Sequence, residues 1–326
     1  MSKKSRICVE ITGGLGNQLF QLAAANSLRE NNQEIVQVDW SLGKPRLNPQ
    51  GLPDLFDFEL PAYVKLAKRK RFSWLPRKTF GYLLRMGYAP RSYERMVLVS
   101  RFLRIIGGIV LFMYFGTKRS PLVAQDLGYS SISAPASRFF LVGYFQSFKY
   151  FDSTDNQDVM KRIRPIEKSE RINQIRKLAA EESPLIVHFR FGDYLLESDF
   201  GIPDETYYFN AIQSEWRSGA YNKIWVFSDD LKLAKQKFPR DYIHFVRWIE
   251  PISESSVLNL ESMRYGKGYV IANSTFSYWA AMLAYNEQVR VVAPTPWFRN
   301  TQSPNELIPK NWKLIPGWKK GQESST

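Results

Sequence analysis

The second half of the chain alternates short apolar segments with segments of helical spacing, and this alternation restricts the fold more than any other feature of the sequence. Each apolar segment ends in a turn and is followed by a helical segment. A helix is the usual crossover connection between two parallel strands. The predicted strands are Leu185–Arg190, Lys223–Phe227, Tyr242–Val246, Gly268–Ala272 and Val289–Ala293. The pattern predicts a doubly wound α/β domain with a parallel sheet.

The start of the chain has the same order of elements. Arg6–Thr12 is a β-rich run, Gly16–Glu30 has helical spacing, and Glu34–Val38 is a second short strand. With 326 residues the chain is long enough for two domains of about 150 residues each. We place the domains at residues 1–160 and 161–326, with the last segment of the chain a candidate to pack back on the first domain.

Cysteine and histidine usage excludes several classes of protein. The single cysteine, Cys8, excludes an internal disulfide and favours a reducing compartment. Two histidines and one cysteine are too few for a His/Cys metal cluster. The longest apolar stretch, Ile105–Phe115, is about half as long as a bilayer span requires, so we expect neither a transmembrane helix nor secretion.

The net charge of +14 is concentrated in one segment. Residues 61–119 contain 14 Lys or Arg and one acidic residue, Glu94, which gives this segment a charge of +13. Aromatic and aliphatic residues alternate with the basic ones. The segment is therefore interpreted either as a solvated basic face of a helical insertion or as a surface that binds anionic lipid. No nucleic-acid-binding motif accompanies it.

The turn after the first predicted strand is rich in glycine and reads Gly13-Gly14-Leu15-Gly16-Asn17-Gln18. Glycines let the backbone approach a ligand closely, and the free amides at a helix N-terminus favour anions. The pattern differs from GxGxxG, and no Lys-Ser/Thr pair follows it as in a P-loop. It is a candidate ligand loop or a plain tight turn.

Two polar clusters follow predicted strands in the second half, namely His188-Phe189-Arg190-Phe191-Gly192-Asp193-Tyr194 and Phe227-Ser228-Asp229-Asp230. Side chains alternate along a strand, so His188 and Arg190 share one face. Arg190 can bind a phosphate through two parallel hydrogen bonds, or it can form a structural ion pair with Asp193. The adjacent carboxylates can bind Mg²⁺, contact a nucleobase or cap the next helix.

A fourth cluster, Asn273-Ser274-Thr275, begins a predicted helix behind a strand. Small hydroxyls in this position form an anion-binding site or a simple N-cap. Ligands of open parallel sheets bind beyond the carboxyl ends of the strands, where all four clusters fall. Together the clusters predict a cleft for an anionic, phosphate-bearing ligand. The sequence contains no Ser-His-Asp spacing, no HExxH motif and no reactive-cysteine motif.

The order of these motifs resembles that of the bacterial-type α-1,2-fucosyltransferases of glycosyltransferase family 11. The resemblance is carried by Gly13-Gly14-Leu15-Gly16-Asn17-Gln18-Leu19-Phe20-Gln21, Gly143-Tyr144-Phe145-Gln146-Ser147, His188-x-Arg190-x-Gly192-Asp193-Tyr194, Phe227-Ser228-Asp229-Asp230 and Ile271-Ala272-Asn273-Ser274-Thr275-Phe276-Ser277. These motifs span nearly the whole chain. Five of them in this order are far more specific than any one alone.

The resemblance implies an α/β, GT-B-like fold in which two Rossmann-like domains face a cleft, with the acceptor on the N-terminal side and the donor held mainly by the C-terminal domain. It implies inverting transfer of L-fucose from GDP-β-L-fucose to the 2-hydroxyl of an acceptor sugar. That sugar would be a galactose in a glycan or in a lipid-linked polysaccharide repeat unit. No cofactor and no metal are implied. Another GDP-activated deoxysugar such as colitose is an alternative, and a non-catalytic glycan- or membrane-binding protein is an alternative of another class.

The same matches imply roles for individual residues. Arg190 is expected to stabilise the negative charge that grows on the leaving diphosphate. Asp193 is the candidate general base, or it only positions Arg190. The donor-binding residues implied, besides Arg190, are Gly14, Gly16, Asn17, His188, Asp229, Asp230, Asn273, Ser274 and Thr275.

Two departures from the family pattern bear on the site. Phe191 stands where the family usually has a second arginine, which leaves Arg190 alone at the phosphate unless another base helps. The helix before the fourth motif reads Leu258-Asn259-Leu260-Glu261-Ser262-Met263 in place of Asp-x-x-Leu-Met, which removes the usual basis for guanine recognition there. Since bacterial relatives usually modify a lipid-linked repeat unit, we expect a cytoplasmic protein, peripheral on the inner face of the membrane through residues 61–119.

Overall fold

The computed structural model describes residues 6–30, 34–40, 42–67, 97–115, 120–124, 127–130 and 138–318. The chain divides into two compact units. Unit 1 comprises Met1–Phe56, Leu60–Met160 and Pro304–Leu307, and unit 2 comprises Asp57–Glu59, Lys161–Ser303 and Ile308–Thr326.

Unit 1 is built on a parallel sheet. Its elements are β1 (Arg6–Glu10), α1 (Leu15–Ser27), β2 (Ile35–Asp39), β3 (Val64–Leu66), α2 (Val97–Phe115), β4 (Ser120–Val123), β5 (Arg138–Val142) and α3 (Thr154–Arg162), which crosses the unit boundary. The strand order is β3-β2-β1-β5-β4. The chain continues from β1 to β2 and β3 on one side of β1, whereas β4 and β5 lie on its other side. The boundary between β1 and β5 is therefore a topological switch point.

Unit 2 contains a second parallel sheet. Its elements are α4 (Glu170–Glu182), β6 (Leu185–Phe189), α5 (Glu205–Trp216), β7 (Ile224–Ser228), α6 (Leu231–Lys237), β8 (Val246–Trp248), α7 (Ser256–Met263), β9 (Gly268–Val270), α8 (Thr275–Met282), β10 (Arg290–Thr295) and β11 (Lys313–Pro316). The strand order β11-β10-β9-β6-β7-β8 places the switch point between β6 and β9. The predicted α/β class with two Rossmann-like sheets is confirmed.

The apolar composition of β6 explains its central position. All five of its residues are buried, as expected for a parallel strand covered on both faces. Leu185, Val187 and Phe189 pack in one core cluster with Tyr208 and Ile212 of α5. The buried strand β6 therefore fixes the position of the residues that follow it.

One predicted strand is wrong. Tyr242–Val246 belongs mostly to a 3-10 turn, Arg240–Phe245, and the strand begins only at Val246. Two aromatic side chains of the turn contact α5: Tyr242 packs against Phe209, with ring centroids 6.1 Å apart, and Phe245 packs against Trp216, with ring centroids 4.9 Å apart. The alternation of apolar residues here reflects packing on a helix and not strand pairing. The short strands β3, β4 and β11 were not predicted.

The predicted basic insertion is described only in part. Residues 68–96 and 116–119 lie outside the described residues, and the described part contains β3 and α2. Among the described residues, no helix has both the length and the apolar character needed to cross a membrane.

Candidate active site

The carboxyl end of β6 carries an arginine held by two carboxylates. Arg190 Nη2 lies 2.6 Å from Asp193 Oδ1, and Arg190 Nη1 lies 3.0 Å from Asp229 Oδ2. We call Arg190, Asp193 and Asp229 the arginine clamp. Asp229 follows β7, the direct neighbour of β6, so strand pairing brings the predicted second and third clusters together. Its other oxygen, Oδ1, accepts a 2.9 Å hydrogen bond from the Phe191 amide.

Gly192 makes room for the arginine clamp. Its φ is +25°, and a Cβ atom at this position would lie 2.6 Å from Asp229 Oδ2. Any side chain would therefore push the carboxylate away from Arg190. The glycine of the motif has a steric role in bringing the strand ends of β6 and β7 together.

His188 is buried beside the arginine clamp. Burial, and then the charge of Arg190, lower its pKa from 6.5 to about 3. Its Nδ1 is buried and has no hydrogen-bond partner within the described part of the chain. The imidazole is therefore neutral at neutral pH, so it can orient a ligand by hydrogen bonding but cannot add a positive charge at a phosphate.

The fourth predicted cluster lies at the end of β9, on the other side of β6. The Tyr194 hydroxyl donates a 3.0 Å hydrogen bond to the Asn273 carbonyl, which connects this cluster to the turn of the arginine clamp. Burial raises the pKa of Tyr194 to about 12, so the hydroxyl keeps its proton. Asn273 is fully buried, and its Nδ2 donates to the carbonyls of Phe200 and Gly201. Its side chain holds a loop.

The two residues after Asn273 form the start of α8. The Ser274 hydroxyl caps the helix by accepting a hydrogen bond from the Phe276 amide at 3.3 Å, and Thr275 is the first helical residue. Free amides of a helix N-terminus favour negative charge, and here they lie at the switch point of the sheet. The predicted N-cap is confirmed, and the anion site at this position stays a prediction.

Asp230 is oriented differently from its neighbour Asp229. Its carboxylate accepts a 2.9 Å hydrogen bond from the Leu233 amide and thereby caps α6. The pair of adjacent carboxylates thus divides into one residue of the arginine clamp and one helix cap. Among the described residues, no group of three or more His, Cys, Asp or Glu side chains is placed to hold a metal ion.

The glycine-rich loop of unit 1 lies next to a hydrogen-bonded pair of side-chain amides, those of Asn17 and Gln146. Gly13 has a φ of +75°, and a Cβ atom there would lie 2.6 Å from Asn17 Nδ2. Gly14 is the exposed N-cap of α1, and Gly16 is buried in its first turn. The Asn17 Oδ1 accepts a 2.9 Å hydrogen bond from Gln146 Nε2. Since Gln146 follows β5 and the loop follows β1, the pair sits at the switch point of this sheet.

Gln146 was not among the predicted site residues. It is 95% buried, and its Oε1 has no hydrogen-bond partner in the part of the chain that the structure describes. A buried unpaired amide oxygen is costly unless a ligand or water binds it. The available signal was its place in the motif Gly143-Tyr144-Phe145-Gln146-Ser147, which was used only for the family resemblance.

The other polar residues of the glycine-rich motif are structural. Gln18 and Gln21 are fully buried. Gln18 donates to the Gly13 carbonyl, and Gln21 joins the Thr12 amide to the Gly143 carbonyl. These bonds fix the loop against the end of β5. Asn17 is left as the partly exposed polar side chain of the first helical turn.

Both departures from the family pattern occupy buried positions. Phe191 packs in the core against Phe189, so this position offers no second cation. Glu261 is buried in an ion pair with Arg264, with 2.9 Å between the charged atoms, and it accepts a hydrogen bond from Tyr285. Its carboxylate is therefore committed to the interior of unit 2 and is not available to a nucleobase.

Known proteins share sequence similarity with this chain over most of its length. The model of the family described as "Glycosyl transferase family 11" matches residues 123–316. The Escherichia coli O-antigen biosynthesis glycosyltransferase WbnK is 25% identical over 324 residues, which cover 93% of this chain and 98% of that protein. An α-1,2-colitosyltransferase of Escherichia coli is 27% identical over 185 residues, 53% of this chain and 61% of its own length.

A third relative is the galactoside 2-α-L-fucosyltransferase of Caenorhabditis elegans, 25% identical over 209 residues, which cover 59% of this chain and 55% of that protein. The matched residues 123–316 are more than half of the chain and contain the arginine clamp, Gln146 and the start of α8. On this evidence the chain belongs to glycosyltransferase family 11 and is a glycosyltransferase.

Proposed function

We propose that the protein transfers L-fucose from GDP-β-L-fucose, with inversion, to the 2-hydroxyl of an acceptor sugar, and that this sugar is a galactose in a glycan or a lipid-linked repeat unit. The observation that carries the proposal is the arginine clamp at the switch point of the second sheet, next to the N-terminus of α8. A guanidinium and helix N-terminal amides at the ends of two neighbouring strands are suited to a diphosphate. The similarity to a galactoside 2-α-L-fucosyltransferase supports the choice of sugar and linkage.

In the proposed reaction the acceptor oxygen attacks C1 of fucose on the face opposite the diphosphate. The new O–C1 bond forms as the bond between C1 and the phosphate oxygen breaks, and GDP leaves with the electron pair. Negative charge grows on the leaving oxygen, where Arg190 and the amides at the start of α8 stabilise it. The acceptor hydroxyl loses its proton to a general base.

The two carboxylates of the arginine clamp suit different roles. The Asp193 side chain is 63% exposed, whereas that of Asp229 is 24% exposed and also holds the Phe191 amide. A diphosphate that binds Arg190 therefore displaces Asp193 more readily than Asp229. We assign Asp229 as a positioning residue and the displaced Asp193 as the general base.

We assign donor-binding roles to one further residue in each unit. His188, neutral and beside Arg190, orients the donor. Asn17, whose Oδ1 accepts a hydrogen bond from Gln146 Nε2, is assigned to the fucose or its phosphate. Transfer is proposed to need no metal, because Asp229 is engaged by Arg190 and Asp230 by the start of α6.

A direct assay tests the proposal. The protein is incubated with GDP-β-L-fucose and a terminal β-galactoside, with excess EDTA present, and the product is identified by mass and by its linkage. We expect release of GDP matched by formation of an α-1,2-fucosylated product. Absence of GDP release with a panel of acceptors would support the non-catalytic alternative, and activity that returns only on adding a divalent cation would contradict metal independence.

The similarity to an α-1,2-colitosyltransferase favours a second candidate donor, GDP-colitose. Colitose lacks one ring hydroxyl that fucose carries. A site built to hydrogen-bond that hydroxyl discriminates strongly against the sugar that lacks it. Parallel assays with both donors at equal concentration identify the natural one by its larger kcat/KM.

A further inference from the structure

Helix α2 presents a stripe of large apolar side chains to solvent. The stripe consists of Phe102, Ile105, Ile109, Phe112 and Met113, whose exposures range from 47% to 64%. Their spacing of three and four residues places them on one face of the helix, within about 100° of arc. Single exposed apolar residues are common on protein surfaces, but five contiguous ones indicate a binding surface.

The opposite side of α2 is attached to the sheet of unit 1. Gly107 is buried, and Val110 packs against the cluster that contains Cys8 and Phe140 of β1 and β5. The helix is therefore fixed on the sheet by one face while the stripe points away from it. This one-sided arrangement matches helices that lie on a surface with their apolar face inserted.

The charge of the sequence segment that contains α2 indicates the kind of partner. The helix contains Arg101 and Arg104 and no acidic residue, and the segment 61–119 to which it belongs carries a charge of +13. A second copy of the chain would bring an equal positive charge against the first. An anionic lipid surface offers both an apolar layer for the stripe and negative charge for the basic residues, each worth about 1 kcal/mol near such a surface.

We propose that α2 lies in the interface of an anionic membrane, with the stripe inserted at the boundary of the acyl chains. That the membrane also presents a lipid-linked acceptor rests on the proposed function. The membrane binding itself does not, and it is tested without any catalytic readout.

The test uses the full chain and sedimentation with large vesicles. One vesicle type contains phosphatidylglycerol in phosphatidylcholine, and the other contains phosphatidylcholine alone. The stripe variant carries Phe102→Gln, Ile105→Gln and Ile109→Gln, because glutamine is a good helix former and leaves the charge unchanged. The matched control carries Ile166→Gln and Leu314→Gln, two comparably exposed apolar residues of unit 2.

We expect the wild-type protein to bind the anionic vesicles at low salt and to lose affinity as salt is added. The stripe variant should bind at least about tenfold more weakly because three inserted apolar side chains are lost, and the control should bind as the wild type does. Size-exclusion chromatography and circular dichroism should show the same elution and helix content for all three proteins.

Other outcomes would overturn the proposal. Equal wild-type binding to both vesicle types removes the role of charge, and equal binding of the wild type and the stripe variant removes the role of α2. A wild-type dimer that the stripe variant converts to a monomer identifies a second copy as the partner. GDP release with a water-soluble acceptor, measured separately, tests the proposed function, and the stripe variant should retain it.

Discussion

Replacement of Arg190 by alanine tests the chemistry of the site most directly. In the proposed transition state, Arg190 faces the oxygen of the diphosphate on which charge develops. Loss of one such preorganised donor costs about 3–4 kcal/mol, which corresponds to a decrease in kcat/KM of about 10² to 10³. Arg190→Lys should recover little of this, because an ammonium group cannot replace the planar fork that meets two acceptors at once.

The same substitution should have a small effect on folding. The two ion pairs of the arginine clamp, at 2.6 and 3.0 Å, are partly exposed, and such pairs contribute at most about 1 kcal/mol each to stability. Asp229 keeps its bond from the Phe191 amide, and Asp193 is already largely in solvent. The free energy of unfolding should therefore fall by much less than the transition-state stabilisation.

The assay is GDP release from GDP-fucose with a galactoside acceptor, combined with urea unfolding of each variant. Arg247→Ala is a matched control, because Arg247 also pairs with a carboxylate, that of Glu182, but lies outside the arginine clamp. It should lower stability and leave kcat/KM nearly unchanged. If Arg190→Ala kept kcat/KM within about a factor of two of the wild type, Arg190 would supply no transition-state stabilisation and the proposed mechanism would be wrong.

Three further predictions concern residues around the site. The pKa of His188 is about 3 in the folded protein and 6.5 in the unfolded chain, so the free energy of unfolding should decrease by about 1.4 kcal/mol per pH unit as the pH falls below about 6.5. The difference in unfolding free energy between the wild type and His188→Phe should show this slope. A constant difference from pH 7 to 5 would contradict the prediction. Gly192→Ala should lower kcat/KM at least about tenfold, because the new Cβ atom displaces the Asp229 carboxylate of the arginine clamp. The control is Gly219→Ala, at a position with φ +67° and open space around it, which should lower stability only. Equal kinetics for the two variants would exclude the steric role of Gly192. Gln146→Leu should lower kcat because the Asn17 side chain loses the hydrogen bond that orients it. The free energy of unfolding, measured in urea or by heating, should decrease by only about 1 kcal/mol. An unchanged kcat would show that the orientation of the Asn17 amide is not needed.

Elements with local signals were predictable from the sequence. Helices α5, Glu205–Trp216, and α6, Leu231–Lys237, each begin after an aspartate cap and have apolar residues at helical spacing, so local sequence is enough to predict them. The strand ends that carry the arginine and the glycine-rich loop were predictable for a similar reason, since a buried apolar run followed by polar residues is a local pattern. The strand prediction for Tyr242–Val246 was wrong because two of its aromatic residues, Tyr242 and Phe245, pack on α5.

Contacts between distant segments were not predictable in the same way. Gln146 and Asn17 are 129 residues apart, and only the pairing of β1 with β5 brings them within hydrogen-bond distance. The different roles of Asp229 and Asp230 depend on the side of β7 on which β6 lies. Neither fact is encoded in the spacing of residues along the chain, and each requires the strand order.

The arginine clamp has a kinetic consequence. In the proposed mechanism, Arg190 is shared by two carboxylates before the nucleotide sugar binds, and an acceptor that enters first finds Asp193 still paired with Arg190. An acceptor that enters after the donor meets the same carboxylate free. The proposed mechanism therefore predicts that the nucleotide sugar binds before the acceptor and that GDP is the last product to leave, because Arg190 exchanges Asp193 for the diphosphate.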